Sequence, residues 1–410
     1  MTNVMTILPS NFLRLFAKGE AARLAALRRL VCAGMLCGVA LTWNLWFPSA
    51  RSFPRAPLLD ACPREVVPPL EYVLGAMLVT ALAVSLFAKR PAKYLVAAIA
   101  SLGLLALSDQ TRWQPWVYQY FIVLVVLALD ARRGGDGRSG IDSLDALRLI
   151  VASLYFWGGA QKLNYSFGHE VLPQLLAPAL GRLTLEGAQL SALGVAVAAA
   201  EMFVGCGLLF RRTRRLCIGC ALAMHGLILG LLIAQGRNSA VWAWNVALAL
   251  TVVILFRRGD TPAAPVSDRW RAGGTSGRAV MMLAALYAVL PTLSFFGWWD
   301  MYLSGALYSG NTAVAVVRVG ARESERLPAS ARRQLFTTAS GERVLPLFEW
   351  SMAELNVPPY PEPRVFRQVA REVCRLTGDE GGAELIVRGR PDVLDGRYVV
   401  SRADCRQLGE

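Results

Sequence analysis

The chain is 410 residues long, 55% apolar and only 18% charged, with a formal charge of +14 and a mean hydropathy of +0.41. Such a composition excludes an ordinary soluble enzyme and describes a chain whose solvent is largely lipid. The arginines that give the positive charge lie mostly in short loops between apolar runs, where they set topology rather than bind nucleic acid.

Residues 1–23 are polar and basic (Arg14, Lys18, Arg23) and are expected on the cytoplasmic surface. No cleavable leader is expected, because the first apolar run follows a basic segment and is long enough to stay in a bilayer. Apolar runs follow at about 27–47, 69–88, 93–108, 117–130, 146–161, 190–210, 216–234, 239–256 and 279–297, most approaching the ~20 residues a spanning helix needs. With the N-terminus inside, the cytoplasmic loops hold 21 Lys and Arg before the last run and the outer loops hold 7. That asymmetry predicts nine spans over 24–300 and an extracytoplasmic tail over 301–410, in what reads as a bacterial plasma membrane. Trp298, Trp299, Tyr302 and Tyr308 suit an outer aromatic belt.

The tail changes composition to Arg, Glu and Pro. TAVAVVRVG, RRQLFTTAS and ERVLPLFEW read as strands, about 363–376 as a helix after PPYPEP, and LIVRGRPDVLDGRYVVS as strand, turn and strand. The expected fold is therefore an all-α polytopic bundle with a small α+β C-terminal domain. Cys374 and Cys405 are the only cysteines of the tail, and an oxidising compartment predicts a disulfide between them, worth about 3–4 kcal/mol. The eight cysteines show no zinc spacing, so no metal is expected. Cys217 and Cys220 have redox spacing but sit at the reducing end of a span, where small residues serve helix packing.

Three stretches could carry chemistry. Glu201 and His225 lie deep in adjacent apolar runs, where a charge costs about 2.5–3.5 kcal/mol on insertion scales. They are either an acid and a base near a site or a structural bond between helices. Lys162 ends another run in LYFWGGAQKLNYSFGHE, seven residues before His169, and is either a snorkelling anchor or the mouth of a site. Tyr155, Gly158 and Gly159 fall on or beside its helix face, and the glycines leave room for a flat ligand or another helix. A desolvated lysine gives up its proton more readily than one in water and could then accept one from an acidic hydroxyl. The outer loop SDQTRWQPWVYQY concentrates Asp109, Gln110, Arg112, Trp113 and Gln114, and reads as a site wall.

Taken in order, DQTRWQPWVYQY, YFWGGAQKLNYSF, AEMFVGCGLLFRRTRR and LAMHGLI resemble the membrane part of the vitamin K-dependent gamma-glutamyl carboxylases and their bacterial relatives with the horizontally transferred transmembrane (HTTM) domain, over about 105–235. The resemblance implies that Lys162, in the KL pair, is the base toward a reduced quinone of the vitamin K or menaquinone kind. It places Glu201 and His225 at the buried end of the pocket, with Asp109, Trp113, Tyr155, Gly158 and Gly159 around the ring. Trp116 stands where the carboxylases have a histidine, and the tail is far smaller than theirs. A bacterial-type relative handling a quinol or another lipid-like ligand fits better than a glutamate carboxylase. The alternative is a non-enzymatic scaffold or lipid-binding module that presents its tail to a partner.

Overall fold

A computed structural model describes residues 19–47, 51–58, 67–133, 137–180, 186–236, 238–257, 274–378 and 382–409. Arg14 and Lys18 lie outside them. Nine long helices run through the described residues: α1 Glu20–Leu41, α2 Val67–Phe87, α3 Ala92–Ser108, α4 Pro115–Arg132, α5 Gly137–Ala160, α6 Gly187–Leu209, α7 Arg214–Gln235, α8 Ala240–Phe256 and α9 Gly274–Val289, the last continued as a tighter 3-10 stretch, Leu290–Phe296. Six stretches are long and apolar enough to cross a membrane, and α3 and α8 are shorter apolar helices. This is the make-up of an integral membrane protein.

α5 is the hub of the bundle and packs against α1, α4, α6, α8 and α9. Its closest approach is to α6, where the backbones nearly touch. A methyl at Gly159 would sit 2.5 Å from Ala198 O, and one at Gly205 would sit 2.6 Å from Ala152 O. In a bilayer, where apolar association has no water to escape, such small-residue contacts let van der Waals packing hold helices together.

The two ends of the bundle differ. At one end arginines reach the final carbonyls of neighbouring helices: Arg23 donates to Ile254 O and Leu255 O, Arg28 to Ala88 O, Arg148 to Leu255 O and Arg214 to Leu208 O. These carbonyls have no intrahelical partner and carry the negative pole of the helix, so a guanidinium suits them. Arg23 is thus a buried residue inside α1; the helix starts about seven residues before the apolar run predicted, because this cap stabilises its basic first turns.

At the other end sits the tail. Strands β1 Val314–Val319, β2 Phe336–Thr337, β3 Arg343–Pro346, β4 Ala383–Arg388 and β5 Val400–Asp404 form one antiparallel sheet in the order β2-β3-β1-β4-β5. Ala315, Val317 and Val319 of β1 and Ala383, Leu385 and Val387 of β4 face inward, the alternation of a half-buried sheet. Helix α10 Leu347–Leu355 packs on β1, and α11 Pro363–Thr377 packs on β4. α11 buries Val365, Phe366, Val369, Ala370 and Val373 along one stripe. Two strand expectations need correction. Within RRQLFTTAS only Phe336 and Thr337 pair, and LFEW turns helical after Pro346. Cys374 and Cys405 are joined as a disulfide.

The tail is seated on the bundle rather than tethered to it. Glu354 accepts from Phe53 N at 2.7 Å and also from Ser52 N, and Trp350 meets the Phe53 ring edge-on at 5.0 Å. Gln114 donates to Pro358 O, Arg364 to Gln110 Oε1, Gln368 to Pro57 O and Asn356 to Ser239 Oγ.

Candidate functional site

The candidate site forms where α5 ends against the middle of α6. Lys162 Nζ donates to Glu201 Oε2 at 2.6 Å and to Gly158 O at 3.0 Å. Both charged side chains are 13% exposed, so the pair is mostly dry yet reachable. Gly158 makes the pair possible: a methyl there would lie 2.7 Å from Glu201 Oε1. Gly159 sets the helix spacing that brings Glu201 opposite the end of α5. Two of the glycines noted in the sequence therefore position the ion pair.

One turn deeper, Tyr155 Oη lies 2.6 Å from His225 Nε2, and His225 Nδ1 lies 2.8 Å from Asn245 Oδ1. Asn245 Nδ2 donates to Val241 O at 2.8 Å, which fixes its oxygen toward the histidine. Nδ1 of His225 is therefore the donor, and Nε2 accepts from the tyrosine hydroxyl. The result is an oriented relay across three helices. Asn245 was missed in the sequence; its signal is a lone amide inside the apolar run VWAWNVALAL.

A roof closes the side toward the tail. Asn164 donates to Ser309 O, Asn311 to Gln161 Oε1 and Gln161 to Ser294 Oγ. Gly305, at φ 77°, comes within 3.4 Å of Gly158 N at the point a methyl would occupy. Only a residue at ease in the left-handed region can bring the chain so close. His169 lies apart from the pair, stacked on Tyr165 with centroids 3.8 Å apart and 3.2 Å from Ser191 Oγ.

Asp109 and Trp113 fall in a neighbouring cluster beneath the tail. Asp109 is buried, pairs with Arg51, and accepts from Ala56 N and Thr111 N. Burial pushes its pKa up, but Arg51, Arg112 and the bonds from Arg51 and Thr111 together hold it below the usual aspartate value. Arg112 is fully buried and donates to Glu71 Oε1 at 2.8 Å, Leu45 O at 2.9 Å and Ser108 Oγ at 2.7 Å. Glu71 went unflagged in the sequence although it lies just inside an apolar run, as Glu201 does. Trp113 meets Phe121 edge-on at 5.4 Å and packs with Tyr302 and Leu307, from the same loop that covers Gly158. Trp116 is buried against Gly38 and Trp46. The 108–120 loop is thus the seat of the tail, and its link to the ion pair runs through the 302–307 segment.

No protein-family profile, curated protein or solved structure matches the chain. Among the described residues no group of His, Cys, Asp and Glu is arranged to hold a metal ion. The arrangement offers a cation and a carboxylate side by side at partial burial, backed by an oriented hydroxyl–imidazole pair. Such a set can take a proton from a bound hydroxyl and steady the oxygen left behind.

Proposed function

We propose that the chain is a nine-span membrane protein of the carboxylase-like HTTM kind. Its N-terminus is cytoplasmic, its tail extracytoplasmic, and an outward site binds a reduced quinone with Lys162 as the base. The observation that carries this reading is the Lys162–Glu201 pair, held mostly dry yet reachable beside the Tyr155–His225–Asn245 relay. The fit lies in the donor set: a hydroxyl that must lose a proton finds a base, a cation and a roofed, lipid-level position. When bound, the quinol would supply the reducing equivalents.

The chain's own residues move the proton. Lys162 passes its proton to Glu201, which becomes a carboxylic acid, and the neutral amine then takes the proton of the bound hydroxyl. The net change protonates Glu201 and leaves the ammonium beside the new oxyanion. His225, held as the Nδ1–H tautomer by Asn245, keeps Tyr155 oriented at the buried wall. Asp109 and Trp113 belong to the seat of the tail, which reaches the ion pair through the 302–307 segment. Segregation of arginine-capped helix ends from the tail-bearing end supports the topology, as does the 21 to 7 distribution of Lys and Arg. The many bonds from the tail to the outer loops support a closed site over a module held out to a partner.

The test is oxygen uptake by purified protein given reduced menaquinone or vitamin K, compared with Lys162→Ala and Lys162→Arg. Uptake that disappears in both variants supports the reading. No uptake by folded wild type, or full uptake by Lys162→Arg, overturns it, because arginine cannot give up its proton.

A further inference from the structure

Away from the Lys162 site, a cavity of about 960 Å³ opens between the outer ends of α2 and α3 and the underside of the tail. This lies at the top of the range of about 300–1,000 Å³ typical of ligand sites. Its two faces differ in chemistry. The floor is made by Leu70, Leu74, Leu104 and Leu107, and Leu70 and Leu104 are each 51% exposed. These leucines belong to helices of membrane character, so the floor continues into the hydrocarbon.

The ceiling is basic. Arg51 and Arg55 line it from the outer loop, and Arg326, Arg371 and Arg375 line it from the tail, against Glu71 and Glu372. Five guanidiniums against two carboxylates leave a net positive rim. Arg51 is locked on Asp109, Phe53 O and Pro54 O. Arg55 uses Nε for Glu71, with its side chain 29% exposed, and Arg326 gives one NH to Thr377 O while standing exposed. Both are thus held by one anchor with the guanidinium at the cavity's edge.

From these two faces we infer that the cavity binds an anionic phospholipid of the outer leaflet, its phosphate at Arg55 and Arg326 and its acyl chains on the leucine floor. Guanidinium forks match phosphate oxygens, and a net positive rim over an apolar floor matches the two halves of an acidic lipid. A soluble anion would gain nothing from the floor, and a zwitterionic lipid little from the rim. The bound lipid would stand between bundle and tail and so help hold the tail in its seat.

The full-length protein is placed in nanodiscs of phosphatidylcholine alone or with phosphatidylglycerol, and lipid that stays bound on extraction is counted by native mass spectrometry. Phosphatidylglycerol is expected to be retained at least tenfold over phosphatidylcholine. R55Q/R326Q should cut that preference about tenfold. Leu104→Trp, a change on a half-exposed face that the fold tolerates, should reduce retention of both lipids by filling the floor. Equal retention of the two lipids, or an unchanged preference in folded R55Q/R326Q, overturns the inference. Displacement of the lipid by millimolar inorganic phosphate alone would overturn it too, since the site would then be one for a free anion.

Discussion

Taking Glu201 away from Lys162 strands a cation in a nearly dry place, and the size of the effect follows from the geometry. The two side chains meet at 2.6 Å and are each 13% exposed. Unit charges centred about 4 Å apart attract by about 4 kcal/mol at an effective dielectric of about 20. Desolvation offsets part of this, while removal of one partner from a buried pair typically costs about 3–5 kcal/mol. Glu201→Gln should therefore destabilise by about 3 kcal/mol, and Lys162→Met by a similar amount. The double variant has no stranded charge and should lose less than either single variant, so the two losses should fall far from additive. Unfolding in mixed micelles with increasing dodecyl sulfate, followed by tryptophan fluorescence, gives all four values. Losses that add to within about 0.5 kcal/mol would show that the two side chains do not act as a pair and would refute the reasoning.

Gly205→Val should separate α5 from α6 and cost about 3 kcal/mol or more, because a methyl already meets Ala152 O and Phe156 N at 2.6 Å; the same micelle assay reads it, and a loss below about 1 kcal/mol would contradict the close contact. Arg112→Met should destabilise by about 3 kcal/mol, because it leaves buried Glu71 with only the part-exposed Arg55 as its ionic partner, and adding Glu71→Met should recover part of it; failure to recover would mean that the hydrogen bonds to Leu45 O and Ser108 matter more than the charge. Burial raises the pKa of Glu362 and Asp300 adds to the rise, while the bond from Met301 N, Arg364 and Arg390 oppose it. A carboxyl with a raised folded pKa favours the fold most when protonated, so the contribution of Glu362 to thermal stability should rise as pH falls from 7.5 to about 5, read as the difference between wild type and Glu362→Gln and kept above the unfolded aspartate value of about 3.9 below which the contribution of Asp109 is lost. Glu362→Gln should flatten that rise, and an unchanged slope would locate its source elsewhere. Cys374→Ser should cost the tail about 3–4 kcal/mol, and peptide mapping without reductant should find the Cys374–Cys405 cross-link in wild type.

Much of the helical architecture was legible because an apolar run of bilayer length has few other fates. Each of the nine runs contains or overlaps one of the nine helices, and the helix expected at about 363–376 is observed at Pro363–Thr377. The candidate site was legible only where a charge stood out against lipid, as with Lys162, Glu201 and His225. Pairing was not legible: Glu201 belongs to Lys162 rather than to His225, because the glycines of α5 set which face of α6 arrives. LFEW read as a strand because a four-residue stretch is too short to show a period of its own; Pro346 just before it and Glu349 in the first turn suit a helix start. Asn245 is uncharged and raised no alarm in an apolar run, yet it sets the tautomer of His225.

The seat of the tail also has a consequence in time. Ser52 and Phe53 take their partner from Glu354, about three hundred positions later in the chain. At roughly 5–20 residues per second, roughly 15–60 s pass between synthesis of the outer loop and synthesis of the residue that closes it. Throughout that interval the loop that follows the first helix stands without the residue that covers it. A nascent chain stopped before Glu354 should therefore expose the 51–57 loop to protease, and completion of the chain should protect it.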